Sequence, residues 1–109
     1  MRTNYNVKDK VAVITGAGGV LGGSLARHFV AQGARVAALD IREEQLDSVV
    51  EILRSKGGQA AGFVSDVLDY EGLQKTAQQV TDLWGTIDIL INVAGGNLPG
   101  ATLREDQSV

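Results

Sequence analysis

Short apolar runs alternate with longer stretches of helical periodicity along almost the whole chain, and a glycine or an acid marks nearly every junction. Val11-Ala12-Val13-Ile14 is continuously apolar and ends at Thr15-Gly16, the pattern of a strand buried on both faces. Leu21, Leu25 and Phe29 then recur at i, i+4 and i+8 and stop at Gly33, which reads as an amphipathic helix closed by a C′ glycine. Residues 35–40 form a second strand. Leu46, Val49, Val50 and Leu53 make the i, i+3, i+4, i+7 stripe of a second helix, ended by Gly57-Gly58. Residues 60–65 are a weaker third strand, closed by Asp66. A third helix starts at Asp69, a predicted N-cap, and runs through Leu73, Ala77, Val80 and Trp84 to Gly85. Residues 87–92 are a fourth strand. Strands separated by single helices pair in parallel through right-handed crossovers. The expected fold class is therefore α/β, a Rossmann-type doubly wound parallel sheet with four strands present.

The 109 residues fit one domain, so residues 1–109 are read as a single unit. Zero cysteines exclude a disulfide framework and thiolate chemistry. A net charge of −3 offers no field for nucleic acid. No apolar run approaches the roughly 20 residues of a membrane span. The opening MRTNYNVKDK has no apolar export core, so the expected location is cytoplasmic. Glycine is frequent, at 14 residues against 1 proline, and its positions carry the functional reading.

Thr15-Gly16-Ala17-Gly18-Gly19-Val20-Leu21-Gly22 joins the first strand to the first helix. In a doubly wound sheet this turn lies at the carboxyl ends of the strands, where ligands bind. Gly16 permits a tight exit from the strand. Gly18 and Gly19 remove side chains that would keep a pyrophosphate from the backbone, and Gly22 lets the helix pack closely. The exposed amides and the helix dipole favour an anion. The plain alternative is a glycine-rich turn with no ligand, but the strand–turn–helix context favours a dinucleotide. A phosphate loop of the Gly-Lys-Ser/Thr kind is excluded by sequence.

Asp40 ends the second strand, with Ile41 beside it. A carboxylate there can accept from both hydroxyls of an adenosine ribose; its alternative role is to cap the following helix. The ribose reading favours NAD over NADP. Even one unit-charge pair about 4 Å apart costs roughly 4 kcal/mol at an effective dielectric of 20, and a 2′-phosphate carries more than one charge. Arg42 offsets part of this. Asp66-Val67 follows the third strand, where a side chain can reach an adenine edge or serve only as a turn residue. Asn92-Val93-Ala94-Gly95 follows the fourth, where small residues admit a ribose or simply end a strand.

Taken together, these residues resemble the short-chain dehydrogenase/reductase family. Thr15, Gly16 and Gly22 match its Thr-Gly-x-x-x-Gly-x-Gly motif, although Val20 replaces the middle glycine and Gly19 lies one residue earlier. Asp66-Val67 is similar to the family's adenine-contacting Asp-Val pair. Asn92-Val93-Ala94-Gly95 is similar to its Asn-Asn-Ala-Gly motif. Gly-Gly-Val-Leu-Gly-Gly with Ala-Gly-Gly-Asn-x-Pro resembles a subgroup that includes D-mannonate oxidoreductases (fructuronate reductases). The candidate cofactor-binding residues are Gly16, Gly18, Gly19, Val20, Leu21, Gly22, Asp40, Ile41, Asp66, Val67, Asn92, Ala94 and Gly95, with NAD as cofactor. The resemblance implies hydride transfer between nicotinamide and an alcohol or carbonyl carbon of a small-molecule substrate, in a homo-oligomer.

The same resemblance implies a catalytic Tyr-x-x-x-Lys pair and a serine. The sequence has two tyrosines, Tyr5 followed by Asp9 and Tyr70 followed by Gln74 at that spacing, so no catalytic residue is assigned and the chain alone is expected to be inactive. It reads as the N-terminal, cofactor-binding part of a longer single-domain enzyme, or alternatively as a non-catalytic dinucleotide-binding module. An S-adenosylmethionine-dependent methyltransferase shares the loop and the acid, but usually carries an acidic residue where Thr15 stands. The fourth strand, central in the full sheet, becomes an apolar edge here, which invites association. His28 is read as structural, with no partners for a metal site, and Trp84 as core.

Overall fold

The computed structural model describes residues 6–93. Strands β1 (Val11–Thr15), β2 (Arg35–Asp40), β3 (Gln59–Val64) and β4 (Ile89–Asn92) alternate with helices α1 (Val20–Ala31), α2 (Glu43–Ser55) and α3 (Tyr70–Trp84). The four strands form one sheet in the order β3-β2-β1-β4, and every pairing is parallel. The expected Rossmann-type α/β fold is therefore observed. After β1 the chain moves outward through β2 to β3, and α3 then returns it across the sheet to place β4 on the other side of β1. That reversal is the switch point beside which ligands bind in open α/β sheets.

Two helical layers arise because β1 and β2 are apolar on both faces; all five residues of β1 are buried. Ile14, Val36 and Ala38 point toward α1 and α2, meeting Ala26, Leu46 and Leu53. Val11, Val13, Ala37 and Leu39 point the other way, toward Val80 of α3. The α2 stripe is buried as expected, at Leu46, Val49, Val50 and Leu53. Asp69 caps α3 as the sequence predicts, its carboxylate accepting from the Gly72 amide at 3.0 Å. The α3 C-terminus runs into Gly85 in the left-handed region. No helix among the described residues is long and apolar enough to cross a membrane.

Three expectations shift. The stripe predicted on α1 begins at Leu21, yet Leu21 is 62% exposed, and the buried positions are Gly22, Gly23 and Ala26. A flat glycine–alanine face brings the α1 backbone against the loop and the neighbouring layer, and Leu25 and Phe29 pack only along its margin. The fourth strand begins at Ile89 rather than at residue 87. Asp88 is joined to β1 differently, its side chain accepting from the Val11 amide at 2.9 Å and its own amide donating to the Val11 carbonyl at 2.9 Å. Trp84 packs against the α3-side core while remaining only partly buried.

Candidate functional site

The loop between β1 and α1 is bolted to the end of β2. The Ala17 amide donates to the Leu39 carbonyl at 2.9 Å, the Gly18 amide to Asp40 Oδ2 at 2.9 Å, and the Gly19 amide to the Gly16 carbonyl at 3.1 Å. Gly16 adopts φ +64°, and a Cβ there would fall 2.9 Å from the Val93 carbonyl oxygen. Only glycine satisfies both demands. Gly22 is required by proximity: a Cβ on it would collide with the Gly16 carbonyl, so the first turn of α1 rests on the loop itself. Gly18 proves to have a packing reason beyond ligand access, since its Cβ would lie 2.8 Å from Gln45 Cβ and 3.0 Å from Asp40 Oδ2. Gly19 is the open position of the set, with nothing nearer than 3.4 Å to its Cβ site.

The first intrahelical bond of α1 runs from the Gly23 amide to the Gly19 carbonyl at 2.8 Å. The amides of Val20, Leu21 and Gly22 find no acceptor among the described residues. Gly19 supplies no side-chain cap, and the first turn of α1 contains no acidic residue. Three donors and the positive end of the helix dipole are therefore left without internal compensation at the N-terminus of α1. This donor set fits the pyrophosphate of a dinucleotide. The amides of Gly18 and Gly19, which the sequence marks as glycines that let a pyrophosphate approach the backbone, are themselves bonded to Asp40 and to the Gly16 carbonyl.

Asp40 is buried at the end of β2 and does not cap α2, whose N-cap is Arg42. Its Oδ1 accepts from the Arg42 amide at 2.9 Å and Arg42 Nε at 3.1 Å; its Oδ2 accepts from the Gly18 amide at 2.9 Å and Arg42 Nη2 at 3.1 Å. Burial opposes ionisation, but the hydrogen bonds from Arg42 and Gly18 and the charge of Arg42 outweigh it, holding the carboxyl below 3.8. Ile41, the next residue, is 60% exposed beside the site.

Across the switch point, the Thr15 hydroxyl accepts from the Val93 amide at 2.9 Å and donates to Asn92 Oδ1 at 2.7 Å. It fixes the carboxyl end of β4 against that of β1. Asp66 is exposed, and its Oδ1 accepts from the Leu68 amide at 2.9 Å in the turn that leads into α3. Val67 lines an apolar cleft of about 280 Å³ under α3, with Leu39, Leu90 and Val80 in its walls and Thr15 and Asn92 at its edge. Hydrogen bonds thus tie the glycine loop to Asp40 and tie Asn92 to Thr15, at the carboxyl ends of neighbouring strands. Ala94 and Gly95 lie outside the described residues. Among the described residues no cluster of His, Asp or Glu could hold a metal ion, and His28 is exposed on α1.

Two features escape sequence reasoning. The clasp of Arg42 on both oxygens of Asp40 is visible only as a basic residue two positions beyond a strand-ending acid. The Thr15 hydroxyl matches a motif position in the sequence, but its bond to Asn92 joins residues 77 apart.

Comparison with known proteins agrees with the fold. Residues 10–108 match the family described as short chain dehydrogenase. The chain belongs to the short-chain dehydrogenase family. An uncharacterized oxidoreductase of Haemophilus influenzae is 41% identical over 99 residues, covering 91% of this chain and 35% of the relative. The 2,3-dihydro-2,3-dihydroxybenzoate dehydrogenase of Bacillus subtilis is 39% identical over 94 residues, covering 86% of this chain and 36% of that enzyme. A crystal structure from Haemophilus influenzae with bound NAD, of a protein described as a D-mannonate oxidoreductase, superposes with a TM-score of 0.81 at 37% identity. It covers 94% of this chain and 40% of the other. A short-chain dehydrogenase/reductase from Burkholderia phymatum in complex with NAD superposes with a TM-score of 0.78 at 30% identity, covering 80% and 31%. The chain spans 35% and 36% of the length of the two curated relatives named here.

Proposed function

We propose that this chain is the cofactor-binding part of an NAD-dependent oxidoreductase that moves a hydride between nicotinamide and an alcohol or carbonyl carbon of a small-molecule substrate. The observation that carries the reading is the pairing of a buried carboxylate, Asp40, with a helix start whose Val20, Leu21 and Gly22 amides are without acceptors. The amides would hold the pyrophosphate and Asp40 the adenosine ribose. Asp66 and Val67 would flank the adenine, and Asn92 would stand toward the nicotinamide end, with Ala94 and Gly95 following it in sequence. A bound nicotinamide dinucleotide supplies the hydride-carrying ring. The part of this chain is to orient that ring and to fix the sugar–phosphate frame, which keeps the reacting carbon in one place.

The same support favours NAD over NADP, because a 2′-phosphate would approach the ionised Asp40. The Tyr-x-x-x-Lys pair that the family resemblance implies is not found among these 109 residues, so this reading assigns them binding rather than proton transfer. A sugar-acid substrate is supported by the likeness to the Haemophilus influenzae structure described as a D-mannonate oxidoreductase. Residues 1–109 are then one part of a single domain that acts in a cytoplasmic homo-oligomer.

Titration of the Asp40→Ala and Asp40→Asn variants with NAD and NADP tests the proposal. Losing hydrogen bonds to a charged group costs about 1.5–3 kcal/mol, so NAD binding should weaken roughly 10- to 100-fold, while NADP binding weakens less or improves. Unchanged selectivity in both variants would remove Asp40 from the ribose site.

A further inference from the structure

Of the four buried polar side chains among the described residues, Thr15 and Asp40 belong to the crevice, and the other two, Ser65 and Thr76, bond to each other. The Ser65 hydroxyl, just past the end of β3, lies 3.0 Å from the Thr76 hydroxyl on α3, and neither makes another hydrogen bond among the described residues. The surroundings are apolar: Val67, Leu73, Ala77 and Val80 line the same cleft as Thr76. Apolar contacts are non-directional, whereas a hydrogen bond fixes distance and angle, so this bond sets α3 against the end of β3 in one register. Ser65 is also held from the other side, its amide donating to the Asp40 carbonyl at 3.0 Å. Asp66 follows directly, and its carbonyl accepts from the Asp69 amide at 2.9 Å at the α3 N-cap. Asp66 Oδ1 is taken by the Leu68 amide, while Oδ2 accepts from no described residue. That oxygen suits an exocyclic amine, the donor that adenine carries at its 6-position.

We propose that the buried Ser65–Thr76 hydroxyl pair positions the Asp66-Val67 turn for reading the 6-amino group of the base, which makes Thr76 a positioning residue for base selection. This inference rests on the dinucleotide reading, with Asp66 at the adenine, and deepens it. Thr76 is buried on α3 and acts only through Ser65, whose peptide leads straight into Asp66. Without the bond, α3 and the strand end keep their apolar contacts but lose the one directional tie between them, and the Asp66 carboxylate is no longer held at a fixed place. A misplaced carboxylate forfeits a charge-assisted hydrogen bond, which depends on distance and angle, while stacking and phosphate contacts are unaffected.

Equilibrium titration of the full chain with NAD and with nicotinamide hypoxanthine dinucleotide, whose base carries an oxo group in place of the 6-amino group, tests this. The parent should prefer NAD by roughly tenfold or more. Thr76→Val keeps the shape and removes the hydroxyl, and the preference should fall to about threefold or less, through weaker binding of NAD with the hypoxanthine nucleotide little changed. Thr76→Ser, which keeps the hydroxyl, should restore the parent ratio. Ser65→Ala removes the same bond from the strand side and carries the test if Thr76→Val does not fold, as unfolding curves will show. A loss of stability alone weakens both nucleotides together and leaves their ratio unmoved. A ratio within about twofold of the parent in the folded variants therefore overturns the inference and leaves the dinucleotide reading intact. A parent that binds the two nucleotides equally removes Asp66 from the base and overturns the inference as well, with dinucleotide binding still standing. Absence of binding of either nucleotide to the unsubstituted, folded chain overturns both.

Discussion

The hydroxyl of Thr15 donates to the side-chain oxygen of Asn92 at 2.7 Å, and this bond joins the ends of two strands that enclose the crevice. The same hydroxyl accepts from the Val93 amide at 2.9 Å. Thr15 is buried in the last position of β1, so neither partner is readily replaced by water. Thr15→Val keeps the shape and removes both bonds, leaving the Val93 amide and Asn92 Oδ1 without their partner. Unfolding in urea should show a loss of about 1–3 kcal/mol, and Thr15→Ser should lose much less. A Thr15→Val protein as stable as the parent would show that the bridge contributes nothing.

Gly22 and Gly19 should respond unequally to the same added methyl group. In Gly22→Ala the new Cβ meets the Gly16 carbonyl, and backbone on one side or the other must move. Overpacking of this kind costs about 1–3 kcal/mol, and nucleotide binding should fall with stability because the free amides lie in the displaced turn. Gly19 has an extended backbone at φ −88° and room for a Cβ. Gly19→Ala should leave the unfolding midpoint nearly unchanged. Equal losses in the two variants would contradict the crowding at Gly22.

Acidification should weaken the fold through Asp40. Its carboxyl is held below 3.8 by the Arg42 and Gly18 bonds, which overcome the opposing effect of burial. A depressed folded-state value contributes stability above the unfolded-state value and loses it as pH falls through the folded one. The stability difference between the parent and Asp40→Asn should thus be full at neutral pH and shrink below about pH 4. Denaturant titrations at pH 7 and pH 3 check this; a difference that grows on acidification would reverse the assigned sign.

Leu53 is fully buried where α2 meets the sheet. Leu53→Ala should destabilise the chain by about 2–5 kcal/mol, from lost burial and the cavity left behind. Chemical denaturation measures it directly. A cost below about 1 kcal/mol would mean that the layer under α2 collapses to fill the space.

Much of this architecture is legible in the sequence because period and punctuation agree. The run Val11-Ala12-Val13-Ile14 has no polar face and becomes a strand covered on both sides. Leu46, Val49, Val50 and Leu53 share one helical face and are all buried. Asp69 lacks competing partners and caps α3 as expected. Leu21 misleads because its spacing with Leu25 and Phe29 implies a leucine stripe, whereas small residues decide which side of α1 can approach the loop. The crevice is legible to the extent that it follows from strand ends. Asp40, Asn92 and the glycines each terminate or leave a strand, and the fold brings those ends together. Arg42 is not legible in this way, since its place is set by side-chain reach and not by any periodicity.

The placement of β4 beside β1 also governs the order in which the crevice can be assembled. The glycine loop and its attachment to Asp40 depend on contacts within one strand–helix–strand unit, as in the bond from Gly18 to Asp40, 22 residues apart. The opposite wall waits for a segment 77 residues away from Thr15, and closing a longer loop carries a larger entropic cost. The glycine loop with Asp40 can therefore close at a smaller entropic cost than the wall that β4 supplies. A ligand gripping both halves would hold β4 in place, so occupancy of the crevice and retention of β4 in the sheet are thermodynamically coupled.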